Sequence, residues 1–125
     1  HVDEGDPYAE HCRQTARLLA DALQLPDDRW QMSFQSRFGR EAWLRPATDQ
    51  LLAELPAQGK KRLVVVCPGF VSDCLETLEE VAIRGREQFL AAGGEAYQCV
   101  PCLNDGPVWL AALTEMTRQA LSGWV

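Results

Sequence analysis

The sequence lacks the features that mark several large classes of protein. Its 125 residues contain no apolar run near the roughly 20 residues that a membrane-spanning helix needs. The 12 Lys and Arg residues are fewer than the 18 Asp and Glu residues and form no basic cluster, so no nucleic-acid partner is expected. No glycine-rich phosphate loop follows a predicted strand, and the motifs H-E-x-x-H and G-x-S-x-G do not occur. These absences weigh against nucleotide binding, zinc-protease chemistry and serine-hydrolase chemistry.

Targeting signals and a disulfide framework are also lacking. The chain begins with His rather than Met and shows no signal peptide. Its five cysteines are odd in number and do not form a small cysteine-dense scaffold, which predicts a reducing, cytoplasmic location. Cys99 and Cys102 form a single C-x-x-C with no second pair, so we interpret them as ordinary thiols.

What is present predicts one α/β domain. Hydrophobic residues make up 46% of the chain, which is enough for a real core. Apolar periodicity predicts strands at residues 30–34, 61–67 and 96–101, with helices between and around them in the order αβαβαβα. This alternation is typical of a Rossmann-like three-layer sandwich around a parallel sheet, with the middle strand covered on both faces. Because the chain opens on a helix, we expect the first strand of the domain to be missing and the chain to be cut from a larger protein.

The stretch 67–80, CPGFVSDCLETLEE, places acids where open α/β sheets bind ligands. Asp73, Glu76 and Glu80 are spaced i, i+3, i+7, which predicts one stripe of an α-helix. Part of this pattern has a structural explanation, because Asp73 and Glu76 could form a capping box near the helix dipole. Glu79 and Glu80 lie past the first turn, and a carboxylate ladder there suits divalent ions or protons. The inner side of this helix is predicted at its apolar positions, which are Leu75, Leu78, Ala82 and Phe89.

A second polar stretch, QSRFGREAWL at residues 35–44, follows the first predicted strand. The guanidinium of Arg37 could hold a ligand carboxylate with two hydrogen bonds. The indole of Trp43 offers a flat face to a flat ligand. Surface arginines and core tryptophans are commoner, so this stretch alone decides nothing.

Four segments together resemble the C-terminal half of the ferrochelatase family. They are GDPYAEHCRQTARLLA, FQSRFGREAWLRPATD, CPGFVSDCLETLEE and CLNDGP, in the family's order and spacing. The resemblance implies insertion of Fe²⁺ into protoporphyrin IX to form haem, by a bacterial enzyme with two similar domains and a porphyrin cleft between them. Residues 1–125 would be most of the C-terminal domain, with the N-terminal domain absent and the fragment alone inactive.

The resemblance also implies roles for individual residues. It makes Glu76 the cleft glutamate for metal delivery or proton removal, with Glu80 next on the ladder and Asp73 just before them. The porphyrin side of the cleft would be lined by four residues, Gln35, Ser36, Arg37 and Trp43. In two places the chain departs from the family: Cys74 stands where a His is frequent, and Arg84 stands at the third ladder acid. The family's invariant His has no counterpart in this chain.

The partners implied are a porphyrin, ferrous iron as substrate and the N-terminal domain of the same protein. No firmly bound cofactor and no [2Fe–2S] cluster are expected, and peripheral contact with a membrane stays open. Three alternatives remain: a non-catalytic porphyrin- or haem-binding module, a coproporphyrin ferrochelatase, and an unrelated flavodoxin-like domain. Porphyrin affinity would separate the first two from the third.

Overall fold

Helices and strands alternate along the chain in the computed structural model, which describes residues 7–34 and 46–124. The elements in chain order are α1 (Tyr8–Ala22), a 3-10 turn (Asp27–Arg29), α2 (Thr48–Glu54), a second 3-10 turn (Leu55–Gln58), β1 (Arg62–Val65), a π-helix (Glu76–Gly85), α3 (Arg86–Ala91), β2 (Ala96–Cys99) and α4 (Pro107–Leu121). α3 continues directly from the π-helix, so the two form one rod between the strands.

The sheet consists of β1 and β2, which run parallel. The register pairs Arg62 with Ala96 and Val65 with Cys99. A parallel pair joined through a helical crossover confirms the predicted α/β class. The expected cover on both faces of β1 is wrong for Val64, which is 65% exposed.

The predicted strand at residues 30–34 forms only at its last residue. Phe34 makes a single parallel bridge with Ala47. Its amide donates to Pro46 at 2.8 Å, and its carbonyl accepts from the amide of Thr48 at 2.8 Å. No longer ladder forms among the described residues, because no second strand lies beside residues 30–33 there. The alternating side chains of residues 30–34 are typical of a strand, but a strand also needs partners for its backbone N–H and C=O groups.

The core lies between the helical rod and the sheet. Leu52, Leu55 and Phe89 are its buried centre, with Phe89 fully inaccessible. Partly buried hydrophobic residues complete it, namely Leu51, Leu63, Leu90 and Tyr97. Gly94 permits the turn after α3, because a Cβ there would overlap the ring of Phe89. Burial of this kind contributes roughly 25 cal/mol per Å² of apolar surface removed from water.

The inner side predicted for the acidic helix is confirmed at Phe89, which is buried, and Ala82 is partly buried, but the prediction fails nearer the start of the helix. Leu75 is 73% exposed and Leu78 is 52% exposed, whereas Thr77 and Val81 are buried. The prediction assumed α-helical spacing, in which each carbonyl accepts from the fourth following residue. A π-helix uses the fifth, so every side chain is rotated relative to that expectation. The placement of Leu75 and Leu78 on the inner side was therefore wrong.

The two long helices pack less closely than the rod. α1 buries Ala9 and Ala20, while no residue of α4 is buried in the described structure. Val108 at the start of α4 is 85% exposed. Across residues 7–34 and 46–124, none of the helices is both long and apolar enough to cross a membrane.

Candidate functional site

Two loops meet where the parallel strands end, one after β1 and one after β2. Asp73 and Asn104 join them with a reciprocal pair of hydrogen bonds. The amide of Asp73 donates to Asn104 Oδ1 at 2.8 Å, and Asn104 Nδ2 donates to Asp73 Oδ2 at 2.9 Å. The amide of Cys102 also donates to Asp73 Oδ2 at 3.2 Å, and the Thr77 hydroxyl donates to Oδ1 at 2.8 Å. One carboxylate thus ties both loops to the start of the π-helix.

These hydrogen bonds change the acidity of Asp73. The hydrogen bond from Asn104, followed by those from Thr77 and Cys102, lowers the pKa of Asp73 below its ordinary 3.8. Asp73 also precedes the π-helix instead of sharing a stripe with Glu76 and Glu80, so that part of the spacing prediction was wrong. The capping box considered for Asp73 and Glu76 is not formed, and the Thr77 hydroxyl instead accepts from the amide of Cys74 at 2.9 Å. The hydrogen bonds around Asp73 favour a role in holding the two loops in position.

Glu76 opens the π-helix and is partly exposed. Hydrogen bonding from the thiol of Cys74, followed by that from its own amide, lowers the pKa of Glu76 below its ordinary value. At neutral pH the carboxylate is therefore charged, as a ligand for a divalent cation must be. Cys74, the residue that departs from the family pattern, thus acts on the glutamate two positions later.

Glu80 lies one turn further along, in a groove between α2 and the helical rod. The groove has a volume of about 540 Å³. Its lining comprises Thr48, Asp49, Leu52, Glu80, Val81, Arg84, Glu87, Gln88 and Ala91. Gln88 Nε2 donates to the Asp49 carbonyl at 2.7 Å, which ties α2 to the rod. Glu76 and Asp73 do not line this groove, so the predicted acids divide between the strand ends and the groove.

The thiols gather at the carboxyl ends of the strands. Cys67, just past β1, is 8% exposed, and burial, followed by the nearby Cys99 and Cys102, raises its pKa to about 12. Burial also raises the pKa of Cys99, which shares a side-chain hydrogen bond with Cys67. All five cysteines are free. The raised pKa values of Cys67 and Cys99 keep these two thiols protonated, which fits ordinary packed residues.

The four predicted porphyrin-binding residues, Gln35, Ser36, Arg37 and Trp43, lie outside the described residues. The structure does fix both ends of their segment. Phe34 and Ala47 form the parallel bridge, and the hydroxyls of Ser33 and Thr48 are 2.7 Å apart. Thr48 also lines the groove that contains Glu80. The described residues on either side of this segment, Phe34 and Ala47, are therefore close together, and the next residue, Thr48, lines the groove.

Within residues 7–34 and 46–124, no three His, Cys, Asp or Glu side chains converge closely enough to hold a metal ion. The prediction of Glu76 as a metal contact stays a prediction. What the described residues offer is single carboxylates in separate places, with Asp73 at the strand ends, Glu76 at the start of the π-helix and Glu80 in the groove.

A ferrochelatase family model matches residues 1–121. The chain belongs to the ferrochelatase family. A Neisseria meningitidis serogroup A ferrochelatase is 54% identical over 124 residues, which are 99% of this chain and 37% of that protein. Shewanella oneidensis ferrochelatase 1 is 54% identical over 125 residues, covering all of this chain and 37% of that protein. A Streptococcus mutans protein named coproporphyrin III ferrochelatase is 54% identical over 121 residues, which are 97% of this chain and 38% of that protein.

Membership in the ferrochelatase family confirms the resemblance that the motifs indicated. The chain spans little more than a third of the length of these relatives. Sequence reasoning did not foresee the hydrogen bonds that three residues make around the candidate site: Thr77, Tyr97 and Asn104. Asn104 precedes Asp105 in a turn motif, and its φ of +51° is a conformation that Asn tolerates, so a turn could have been foreseen there. Nothing in the linear sequence pointed to its bond with Asp73.

Proposed function

We propose that this chain supplies one wall of a cleft in which ferrous iron is inserted into protoporphyrin IX. The observation that carries the proposal is the placement of Glu76 and Glu80 on a helix that begins at the carboxyl ends of parallel strands, in a chain of this family. A free porphyrin must lose two pyrrole protons and accept a metal stripped of water. Carboxylates on the cleft wall can serve both requirements.

The acids take different parts in this proposal. Glu76 contacts the incoming metal, because its low pKa keeps it charged and makes it a weak base. Glu80 extends the path toward the groove beside α2. Asp73 holds the two loops in place through its bonds to Asn104 and Thr77. Arg37 and Trp43 receive the propionates and the macrocycle, together with Gln35 and Ser36.

Two porphyrins are candidate substrates, protoporphyrin IX and coproporphyrin III. The Neisseria and Shewanella relatives are named ferrochelatases, whereas the Streptococcus relative, at the same 54% identity, is named for coproporphyrin III. We propose protoporphyrin IX as substrate, cytoplasmic location and inactivity of the 125-residue chain alone, since the second wall of the cleft would come from the rest of the protein.

The test uses the full-length protein with Glu76→Gln, and with Glu115→Gln as a matched control on exposed α4. Iron insertion is followed by the change in porphyrin absorbance, with protoporphyrin IX and coproporphyrin III in parallel. Loss of a carboxylate that contacts the metal is expected to lower kcat by at least about 10–100-fold. Glu115→Gln should retain the activity of the unsubstituted protein. Undiminished insertion by Glu76→Gln would refute the role of this residue, and porphyrin binding without turnover in the unsubstituted protein would leave only a binding module.

A further inference from the structure

Asn104 belongs to the loop after β2, but it binds the loop after β1 at three points. Its amide donates to the Val71 carbonyl at 2.9 Å. Its Oδ1 accepts from the amide of Asp73 at 2.8 Å, and its Nδ2 donates to Asp73 Oδ2 at 2.9 Å. We call these three hydrogen bonds the Asn104 clasp. The proposed function gives roles to the acids near the first loop and none to Asn104 itself.

The backbone at residue 104 restricts which side chains can stand there. Its φ is +51°, in the left-handed region that Asn and Asp enter more readily than most residues. The amide of Gly106 then closes the turn by donating to the Leu103 carbonyl at 3.0 Å. Among the residues that suit this backbone, Asn has both an acceptor and a donor on its side chain. It can therefore bind the amide and the carboxylate of Asp73 at the same time.

The carboxylate of Asp73 connects the clasp to the residues around Glu76. Asp73 Oδ1 accepts from the Thr77 hydroxyl at 2.8 Å, and the oxygen of this hydroxyl accepts from the amide of Cys74 at 2.9 Å. Thr77 is 2% exposed, so packing also holds it. Because Glu76 directly precedes Thr77, the bonds on either side limit how its backbone can turn.

The donor on Asn104 matters because Asp73 is charged. Hydrogen bonding, first of all from Asn104, lowers the pKa of Asp73 below its ordinary 3.8. Three thiols also interact with Asp73, but their raised pKa values keep them neutral between pH 6 and pH 8: Cys67, Cys99 and Cys102. A second carboxylate at position 104 would face Asp73 Oδ2 without a proton to donate. The two carboxylates would repel each other until one of them bound a proton.

We propose that Asn104 is a positioning residue for iron insertion, because the clasp fixes the loop at residues 71–73 and, through Thr77, the direction in which Glu76 faces the cleft. The part of this inference that concerns Glu76 rests on the proposed function. The part that concerns the clasp is a statement about how two loops are joined.

The main test uses Asn104→Asp and Asn104→Gly in the full-length protein. Asp has nearly the same size and tolerates the left-handed backbone, but its carboxylate has no donor. Gly tolerates the backbone and removes the whole side chain. Asp105→Asn is the matched control, since it makes the reverse exchange at the next residue of the same exposed loop. Steady-state kinetics between pH 6 and pH 8, with protoporphyrin IX and coproporphyrin III in parallel, separate kcat from KM for the porphyrin.

At pH 8, Asn104→Asp should lower kcat by about tenfold while KM stays within about twofold, because Glu76 is misplaced and the porphyrin contacts are not. Toward pH 6 its kcat should recover relative to the unsubstituted protein at the same pH, since a shared proton restores the donor. Asn104→Gly should show the loss without the recovery, and Asp105→Asn should match the unsubstituted protein throughout. An unchanged kcat in Asn104→Asp, or a loss that is the same at every pH, would overturn the positioning role.

A double-mutant cycle of Asn104→Asp and Asp73→Asn tests the clasp without reference to activity. Urea unfolding at pH 8 should show that the double variant loses less stability than the sum of the two single losses, because a carboxylate again faces a carboxamide. Additive losses would overturn the clasp. Absence of iron insertion in the unsubstituted protein would refute the proposed function and the positioning role together, whereas the cycle would still report on the clasp.

Discussion

The helix α4 is richer in apolar residues than the helical rod, yet its side chains are far more exposed. In the rod, Phe89 is fully buried and Val81 is 2% exposed, packed against α2 and the sheet. Along α4, apolar side chains such as Leu113 and Met116 are 41% and 51% exposed. The difference shows that the rod has its core within the described residues, whereas the apolar face of α4 contributes little to the stability of this chain by itself.

The largest expected effect is on the stability of the rod, at the buried ring of Phe89. Phe89→Ala should lower the free energy of unfolding by about 3–5 kcal/mol, because it removes a fully buried ring from the contacts of Leu52, Leu55 and Tyr97. Leu113→Ala on α4 should change it by less than about 1 kcal/mol in this chain. Urea unfolding of both variants measures the difference. Equal losses would show that α4 is packed as firmly as the rod.

The same two variants can also be compared in the full-length protein, where the stability cost of each is measured again. If the rest of the polypeptide covers α4, Leu113→Ala should cost more there than in the 125-residue chain, while the cost of Phe89→Ala should hardly change. An unchanged cost for Leu113→Ala would place this face in solvent in both proteins.

A smaller effect on stability is expected at Asp73, which lies three residues before the rod. Its pKa is lower in the folded protein than its ordinary 3.8, so the charged form stabilises the fold above that value. This contribution is lost as the pH falls through the folded pKa. Asp73→Asn should therefore be less stable than the unsubstituted protein at pH 6, and the gap should narrow toward pH 3. Unfolding at the two pH values tests this, and a gap that widens in acid would contradict it.

The smallest effect concerns thiol reactivity. Cys67 lies in the packed region with a pKa of about 12, and Cys12 lies on the partly exposed α1. Alkylation at pH 8, followed by mass spectrometry, should modify Cys67 last, since only the thiolate reacts. Its rate should rise sharply in urea. Early modification of Cys67 in the native protein would indicate that the strand ends open readily.

Much of this fold follows from the sequence because its signals are local. Pro7 and Pro107 stand at the starts of α1 and α4, and the run of Val residues forms β1 as predicted. The strand predicted at residues 30–34 failed because alternation describes side chains and does not provide a neighbouring backbone. A partner strand is a long-range property, which no local pattern contains.

The candidate site likewise combines features that local sequence signals predict with features that depend on long-range contacts. Glu76 and Glu80 were identified from motif resemblance, and the structure places them on the helix that begins at the strand ends. Their orientation was not predictable, because the helix that carries them is π-helical, and its packing brings the Tyr97 hydroxyl to where a Cβ on Gly85 would lie only 2.7 Å away. A glycine inside a helical pattern signals a close approach, but the approaching atom is not evident from the sequence.

The Tyr97–Val81 bond also bears on the order of folding. β2 follows the π-helix in the chain and must pair with β1 across it, so this is a non-local step that forms slowly. Until β2 pairs with β1, the Tyr97 hydroxyl cannot reach the Val81 carbonyl. The rod that carries the acidic residues is therefore joined to the sheet by this bond only when β2 is in place.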